Sequence, residues 1–436
     1  MGISSSLNAG VAGLAVNAVK LATISDNIAN SQTNGYKRVD TEFADLVLQQ
    51  SNGGYAAGGV RAVTFRDVGV QGSLITTTNP TDISISGRGL LPVTDAGGVN
   101  ASSTDRSLLL TSTGSFTPDE NGFLRTLSGL HLLGFPADVN GNIGNPVRDS
   151  ITSLEPVRVN LNQFAASATS RIQLGVNLPA TETEAGAAGQ PFSLPVEYFD
   201  TLGRSQSLSL VFTPNVPAAG GAPTNLWDVE VFDNAGDPTT AIEQFSIEFD
   251  DSAASGGSIQ SVTPSGGTVF DPATGAITVN TGFSAIDLVI GTPGTATPLT
   301  QLSASFSPLA ITNDGAPIGN LSSVEIDEEG FLQAVFDTGF RRTIYQIPVV
   351  DVPNFRGLAA NGNQSFSVTQ DSGDIYLFDA GDGPVGQTIG FALTESTTDI
   401  ASELTDLIQT QRAYSSNARI IQTVDEILQE TTDIIR

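Results

Sequence analysis

The sequence predicts a mainly β protein with α-helical termini, in which two nested β domains accompany a terminal helical coiled-coil domain. Two observations support this prediction. Both ends of the chain carry apolar residues at the alternating 3- and 4-residue steps of a heptad repeat, and the sequence between them alternates as half-buried strands do. Because a lone helix has no partner on which to bury such a stripe, the two ends are expected to pair with each other or with another copy of the chain.

The first helix is predicted over residues 4–30, which are rich in Ala, Leu and Val and contain no aromatic residue. It ends before an Asn34-Gly35 turn signal. Asn27 and Asn30 lie at its end, where their amides either bond a neighbouring subunit or cap the helix locally. The predicted seam of this helix comprises Leu7, Val11, Leu14, Ala18, Leu21, Ser25 and Ile28.

The last helix is predicted over residues 400–436. Its polar seam members, Gln411, Tyr414 and Asp425, either fix the register between helices or face solvent because the true seam drifts. Arg412 and Arg419 share a helix face, so they either pair with acidic residues of an adjacent copy or remain solvated charges. The predicted seam comprises Leu404, Leu407, Gln411, Tyr414, Ala418, Ile421, Asp425, Leu428, Thr432 and Ile435.

The middle of the chain is expected to hold nested domains, because the two helices must be close in space. A short helix is also expected within residues 41–50. The predicted division assigns residues 1–35 and 400–436 to the terminal helical coiled-coil assembly domain, 36–59 to a linker, 60–150 and 310–399 to a discontinuous inner β domain, and 151–309 to an inserted outer β domain.

Composition excludes several classes of partner. The formal charge is -28, and no Lys or Arg occurs between Ser205 and Phe340. Such an acidic surface repels phosphate, so nucleic acid is not an expected partner. The chain has no cysteine, which removes disulfides, thiolate nucleophiles and cysteine-ligated zinc. No stretch reaches 18 unbroken apolar residues, and no basic region precedes an apolar run at the N-terminus. Neither membrane insertion nor a cleaved secretory signal is therefore expected.

No pattern in the sequence nominates a chemical site. Gly381, Gly383 and Gly386 spell GxGxxG, but Pro384 interrupts the motif and no helical pattern follows it, so a turn is expected. His131 is the single histidine, and a histidine among apolar neighbours more often packs than catalyses. No pair of carboxylates stands out as a glycosidase pair. We therefore expect a protein that is not an enzyme and that uses no cofactor and no metal.

Six segments resemble the flagellar basal-body rod and hook protein family. SDNIANSQTNGYKR (25–38) and LTDLIQTQRAYSSNARIIQTVDEILQ (404–429) are similar to the terminal signatures of that family. The other similar segments, in chain order, are VQGSLITTTNPTDISISGRG (70–89), TSTGSFTPDENGFLRT (111–126), VEYFDTLGRSQSLSLVF (196–212) and IDEEGFLQAVFDTGFRRTIYQIPVVDVPNFRGL (326–358). The matches are collinear and cover most of the chain. Leu90, Leu91 and Val70 stand where the family usually has aromatic residues.

The resemblance implies a structural subunit of the extracellular flagellar hook, a homopolymeric tube that bends while it transmits torque from rod to filament. It also implies export by the flagellar export apparatus, and contacts with the distal rod protein, the hook cap protein and the hook–filament junction protein. Two alternatives stay open at this stage. One is the distal rod protein of the same family, and the other is a secreted β-rich adhesin or carbohydrate-binding protein.

Overall fold

A computed structural model describes residues 3–46, 59–138, 141–160, 164–265, 267, 269–295 and 298–434. The prediction of a mainly β chain with a helix at each terminus is confirmed. The chain divides into two compact units. Unit one comprises Met1–Leu161, Ser323–Val335 and Arg341–Arg436, and unit two comprises Asn162–Ser322 and Phe336–Phe340.

The two helices are α1 (Ile3–Ala29) and α2 (Ile400–Ile434). The strands of the first part of the chain are β1 (Val39–Asp45), β2 (Val60–Arg66), β3 (Leu74–Thr76), β4 (Asp82–Ser86), β5 (Leu91–Thr94), β6 (Leu109–Thr111), β7 (Thr113–Ser115), β8 (Thr117–Pro118), β9 (Leu124–Arg125), β10 (His131–Pro136) and β11 (Glu155–Pro156).

The next group of strands belongs to unit two, except that residues 323–326 of the last one lie in unit one. The strands of this group are β12 (Phe164–Ser167), β13 (Arg171–Pro179), β14 (Phe192–Phe199), β15 (Ser205–Pro214), β16 (Leu226–Asp233), β17 (Ala241–Phe249), β18 (Ile259–Ser265), β19 (Phe270–Asp271), β20 (Ala276–Asn280), β21 (Ala285–Val289), β22 (Leu299–Leu302), β23 (Ser307–Asn313) and β24 (Ala316–Ile326).

The remaining strands are β25 (Phe331–Phe336), β26 (Arg341–Gln346), β27 (Val349–Asp351), β28 (Ala359–Ala360), β29 (Phe366–Ser367), β30 (Tyr376–Phe378), β31 (Gln387–Gly390) and β32 (Ala392–Thr394). Short 3₁₀ helices occupy Ile151–Ser153, Ala180–Thr183 and Phe355–Gly357.

The β part of unit one is organised around β10, which pairs antiparallel with β5, β9, β11 and β26. Nearly every residue of β10 is buried, as expected for a strand with neighbours on both edges. Leu133 and Phe135 of this strand join Leu90 and Val350 in one apolar cluster. The core of unit one thus depends on strands from both chain segments that flank unit two.

Unit two contains a five-stranded antiparallel meander, β14 to β18, and a second sheet with the order β19-β20-β21-β13-β22, to which β23 adds along β13. The meander alternates buried and more exposed residues, as the sequence pattern predicts. Trp227 and Tyr198 of the meander share a cluster with Leu174 and Leu288 of the second sheet. The inner faces of two sheets therefore supply this core.

The predicted domain boundaries at 151 and 310 differ from the limits of unit two. Residues 151–161 stay in unit one, where β11 pairs with β10. Residues 310–322 belong to unit two, because β23 pairs with β13 and the first part of β24 pairs with β12. The finer division of unit one into helical, linker and inner β domains remains a prediction.

The predicted linker contains regular structure. Val39–Asp45 forms β1, which pairs antiparallel along its whole length with β2, and both strands lie beside α1. The short helix expected in residues 41–50 is therefore wrong for Thr41–Asp45, and residues 47–50 lie outside the described part of the chain. The partner strand lies beyond residue 59, so the local sequence does not reveal the pairing.

Local interactions mark the C-terminal end of α1 and the N-terminal end of α2. Asp399 caps α2, because its Oδ1 accepts hydrogen bonds from the backbone N–H groups of Ala401 (2.9 Å) and Ser402 (3.3 Å). Beyond the last turn of α1, Gly35 adopts φ 76°, a conformation that favours glycine. Both helix ends lead directly into the β part of unit one.

Helix α1 is long and apolar enough to cross a membrane by length and composition. The segment Leu7–Ala29 has a mean hydropathy of 1.4, although it contains no unbroken run of 18 apolar residues. The criterion of 18 unbroken apolar residues misses this segment, because polar residues interrupt it. A helix that packs on another helix passes the same test, and α1 packs along α2.

Candidate assembly surface on the terminal helices

The two helices pack antiparallel, and small residues of α1 make the closest approach. A β-carbon at Gly13 would lie 2.7 Å from Nδ2 of Asn417, and one at Gly10 would lie 3.2 Å from Cγ1 of Ile421. Near the other end of the pair, Asn27 of α1 contacts Glu403 of α2. Two segments from opposite ends of the sequence thus form one antiparallel helix pair, and the whole β part of the chain lies between them in sequence.

The contact face of α1 lies one residue before the predicted seam. Its buried members are Gly10, Gly13, Val16, Asn17, Ile24 and Asn27. The predicted residues Leu7, Leu14, Leu21 and Ile28 are half-buried, whereas Val11, Ala18 and Ser25 are exposed. A shift of one residue rotates the stripe by 100° around a helix. The predicted stripe therefore flanks the contact within the chain instead of forming it.

The contact face of α2 overlaps the predicted seam only in part. Leu407, Ala418 and Ile421 are half-buried, and the fully buried residues are Glu403, Thr410 and Val424. The other predicted residues are exposed, namely Leu404, Gln411, Tyr414, Asp425, Leu428 and Thr432, and so are Arg412 and Arg419. Ile435 lies outside the described residues. Within the single chain, no polar seam residue is buried between the helices.

Pairing leaves many large apolar side chains of the helices uncovered. Val11 is 52% exposed and Ile408 is 51% exposed. We call this set the uncovered apolar residues, and it consists of Val11, Val19, Ile400, Leu404, Ile408, Tyr414, Ile420, Ile427 and Leu428. Exposed apolar residues concentrated on one element mark an interaction surface more often than isolated ones do.

A buried polar cluster fastens the helix pair to β1. Asn27 Nδ2 donates to Glu403 Oε1 (3.1 Å) and to the carbonyl oxygen of Val39 (2.9 Å), and its Oδ1 accepts from the Val39 N–H (2.9 Å). The Arg38 guanidinium forms an ion pair with the fully buried Glu403. Burial alone would lower the pKa of Arg38, but the hydrogen bond and the charge of Glu403 raise it overall.

Tyr36 extends this cluster to the end of α1. Its hydroxyl lies 2.9 Å from Asp26 Oδ2 and 3.1 Å from Asn27 Oδ1, so its single proton is shared between these two acceptors. The Arg66 guanidinium stacks 5.0 Å above its ring. Burial, together with the bond to Asp26, raises the pKa of the Tyr36 phenol above its usual range. The phenol therefore stays protonated and keeps donating at neutral pH.

The two asparagines at the end of α1 have purely internal partners. Asn27 is 1% exposed and bonds β1 and α2 of its own chain. Asn30 Nδ2 donates to the carbonyl oxygen (2.9 Å) and to Oδ1 (3.1 Å) of Asp26, which is a local cap. The bonds of Asn30 agree with local capping, and its contact with a neighbouring subunit stays a prediction. For Asn27 the structure provides a third interpretation, a bridge between distant segments.

Lys37 is a buried basic residue that the sequence did not single out. Its Nζ donates a 2.6 Å hydrogen bond to the carbonyl oxygen of Val70, and the residue is 2% exposed. Burial lowers the pKa of Lys37 to about 8, against the opposing influence of the Asp67 carboxylate. A lysine beside an aromatic residue is an ordinary surface pattern, so nothing in the sequence distinguished it.

The part of the chain that the structure describes contains no group of His, Asp and Glu arranged to hold a metal ion. Gly381 and Gly383 lie in a turn with positive φ, and β31 follows instead of a helix, as the sequence predicts. His131 is buried at the start of β10. The terminal helices therefore remain the candidate functional surface.

Three family models match the chain in order. They are described as flagella basal body rod protein (residues 7–37), flagellar basal body protein FlaE D2 domain (167–316) and flagellar basal body rod FlgEFG protein C-terminal (391–434). Similarity to the flagellar hook protein FlgE of Brucella suis extends over 447 aligned residues, at 31% identity and with 100% of both chains covered. The chain belongs to the flagellar hook protein family.

Other hook proteins are similar over nearly the whole length. The Rhizobium meliloti protein is 28% identical with 100% of both chains covered, and the Salmonella typhimurium protein is 26% identical over 97% of this chain and 98% of its own. A flagellar hook protein from Helicobacter pylori, of known crystal structure, is 13% identical with a TM-score of 0.48, over 72% of this chain and 98% of that one. The distal rod and adhesin alternatives are not favoured.

Proposed function

We propose that this chain assembles into the hook through its terminal helices and that the uncovered apolar residues form the contacts between copies. As a member of the hook protein family, the chain is a structural subunit of the bacterial flagellar hook and lies outside the cell. The observation that supports the assembly route is the apolar surface that the α1–α2 pair leaves exposed. Burying one aliphatic side chain contributes roughly 1.5–3 kcal/mol, so several per subunit stabilise a polymer substantially.

The predicted seam fits this proposal better than a contact within one chain. Val11, Leu14 and Leu21 flank the intramolecular contact, so they are available to a second copy packed beside the pair. Leu404 and Leu428 are in the same situation on α2. We therefore propose that the heptad periodicity in the sequence records the contacts between subunits.

The outer surface of unit two suits a joint that bends while it transmits torque. On the polar face of the meander, Ser246 Oγ donates to Asp228 Oδ1 (2.6 Å), and Ser261 Oγ donates to Glu248 Oε2 (3.0 Å). These groups already have hydrogen-bond partners within the chain, so contacts of this face with other copies would exchange at low cost. We propose that such contacts slide as the hook curves, while the helical contacts persist.

The partners at the two ends of the hook follow from the same proposal. The distal rod protein, the hook cap protein and the hook–filament junction protein would each contact the terminal helices or unit one, and the flagellar export apparatus would deliver the chain. No cofactor and no enzymatic activity belong to this role. Cross-linking mass spectrometry on purified hook–basal bodies would identify the end contacts, and links only to unrelated proteins would contradict them.

Two variants of α2 test the assembly route, each with one new carboxylate at a different position of the helix. Ile408→Asp introduces a carboxylate at an uncovered apolar residue, and Gln409→Asp introduces it at the next position, which is also exposed but polar. Burying an unpaired carboxylate costs several kcal/mol. In a strain that lacks its own hook protein, we expect Ile408→Asp to abolish hooks in electron micrographs while the secreted subunit accumulates, and Gln409→Asp to give normal hooks. Normal hooks with Ile408→Asp would contradict the route.

A further inference from the structure

A cleft of about 510 Å³ lies in unit one, away from the terminal helices. This open cleft is lined by the loop after β5, the β8–β9 hairpin, the start of β10 and the segment after β11. Ala96 and Val99 provide apolar wall, and the polar lining comprises Asn100, Asp119, Asn121, Arg125, His131 and Arg158. Two arginines and the single histidine of the chain thus share one cleft in a protein with a formal charge of -28.

The register of the strands brings these basic groups together. His131 of β10 is directly opposite Arg125 of β9, so the two side chains share one face of the sheet. The backbones of Phe123 and Arg158 pair in an isolated antiparallel β-bridge. The Phe123 ring meets the His131 ring edge-on, with 6.4 Å between the ring centroids. Arg158 is held over the Phe123 ring at 5.7 Å, and its Nε donates to the carbonyl oxygen of Asn121 (2.8 Å). Within the described part of the chain, no hydrogen bond engages its two terminal amino groups, so they can reach another acceptor.

The two arginines of this cleft outnumber its one carboxylate among the residues that the structure describes. Among the described residues, neither Arg125 nor Arg158 forms an ion pair. The one carboxylate in the lining, Asp119, uses Oδ1 to accept from the backbone N–H groups of Asn121 (2.8 Å) and Phe123 (2.9 Å). A guanidinium that is fixed in place and unpaired is suited to bind a carboxylate or phosphate.

His131 is placed to sense such a ligand. The residue is 6% exposed. Its Nε2 lies 4.0 Å from Asp119 Oδ2. Burial lowers the pKa of His131 and Arg125 adds to this effect, while Asp119, a hydrogen bond to the Gly129 backbone and, more weakly, Asp95 oppose it. An anion entering the cleft would stabilise the imidazolium and reverse part of this shift.

We infer that this cleft binds an oxyanion and that, in the assembled hook, the oxyanion is a side-chain carboxylate of a second copy of the chain. Carboxylates are abundant on every neighbour, and Arg171 and Arg204 are the only basic residues of unit two. Within a polymer, adjacent copies present their carboxylates at a high effective concentration, which favours them over free anions in solution.

Because the chain has one histidine, ¹⁵N-histidine labelling reports on this cleft alone. In the unassembled full-length chain, inorganic phosphate serves as the probe, and we expect saturable binding that raises the pKa of His131 by about one unit. Arg125→Gln should reduce this rise strongly. Arg61→Gln is the matched control, since Arg61 is an exposed strand arginine outside the cleft, and it should preserve the rise. Arg158→Gln provides an independent second variant.

Assembled polymers identify the occupant. In phosphate-free buffer, solid-state ¹⁵N spectra should show the pKa of His131 about one unit higher than in the unassembled chain, and added phosphate should change it little. If the pKa of His131 rises only when phosphate is added, in the polymer as well as in the unassembled chain, a second copy is not the occupant. No shift with phosphate and none on assembly would overturn the oxyanion site. The phosphate measurement does not require assembly, so it stands even if the helical assembly route fails.

Discussion

At the scale of single residues, Lys37 combines burial, one hydrogen bond and a pKa lowered to about 8. Because the folded state releases the proton more readily than the unfolded chain, the unfolded chain binds more protons between about pH 8 and the ordinary value of 10.5. The stability contributed at this position therefore increases as pH rises through that window. Below pH 8 the full cost of burying the charge is present.

We predict that the wild-type chain gains about 3 kcal/mol relative to Lys37→Met as pH rises from 8 to 10.5, because the variant lacks the titrating group. Urea unfolding of both proteins at a series of pH values measures the difference in free energy of unfolding. Lys20→Met removes the only other lysine and serves as the control, with a difference that stays constant. A flat difference for Lys37→Met would show that the ammonium is solvated.

Asn27 illustrates what residue-level sequence reading reaches and what it misses. Its place at the end of a helix was predictable, and local capping or a contact between subunits were reasonable hypotheses. The actual partners, Val39 and Glu403, come from β1 and from α2. A bond across 376 residues leaves no periodic signal in a single sequence, so this role could not be read from it.

At the scale of elements, the sequence predicted two terminal helices correctly and displaced the contact face of α1 by one residue. A heptad pattern is recognised from large apolar side chains, and Leu14 and Leu21 determined where the seam was placed. The closest contact uses Gly10 and Gly13, whose lack of a side chain permits the helices to approach. A search that weights small residues at 3-residue spacing would have found this face.

This packing predicts an asymmetric response to enlarged residues on α1. Gly13→Val places a side chain where Asn417 already lies at 2.7 Å from the β-carbon position, so overpacking should cost about 1–3 kcal/mol. Ala15→Val adds valine at an exposed position of the same helix and should be nearly neutral. Hydrogen exchange of the backbone amides of α2 measures the loss of packing. Equal protection in both variants would place the close contact elsewhere.

At the scale of the whole molecule, fold class was predictable and boundaries were not. Alternating strands and turn signals identify a β-rich middle regardless of which strands pair. The limits of unit two depend on the pairing of β23 with β13 and of β11 with β10, which are tertiary contacts. The same holds for the candidate assembly surface. The sequence predicted its two helices, but which face of each helix stays exposed depends on tertiary contacts.

The two cores predict that the β part of the chain folds without its helices. A fragment comprising residues 36–399 retains the apolar clusters of both units, whereas the surface of the helices depends on neighbours for burial. We expect a soluble monomer with β-type circular dichroism and no tubes at concentrations where the full chain polymerises. Sedimentation velocity measures the oligomeric state. An unfolded fragment, or one that forms tubes, would contradict this organisation.

The contact between Asn27 and Glu403 also determines when a subunit becomes able to assemble. These residues are 376 positions apart, so α1 can pack beside β1 and β2 early but cannot meet α2 until almost the entire polypeptide is available. Closing so long a loop is slow compared with folding inside either unit. A truncated or incompletely delivered chain can therefore fold its β cores and still lack the paired ends. Under the assembly route proposed above, we expect only chains in which the first and last segments have met to add to the growing tube.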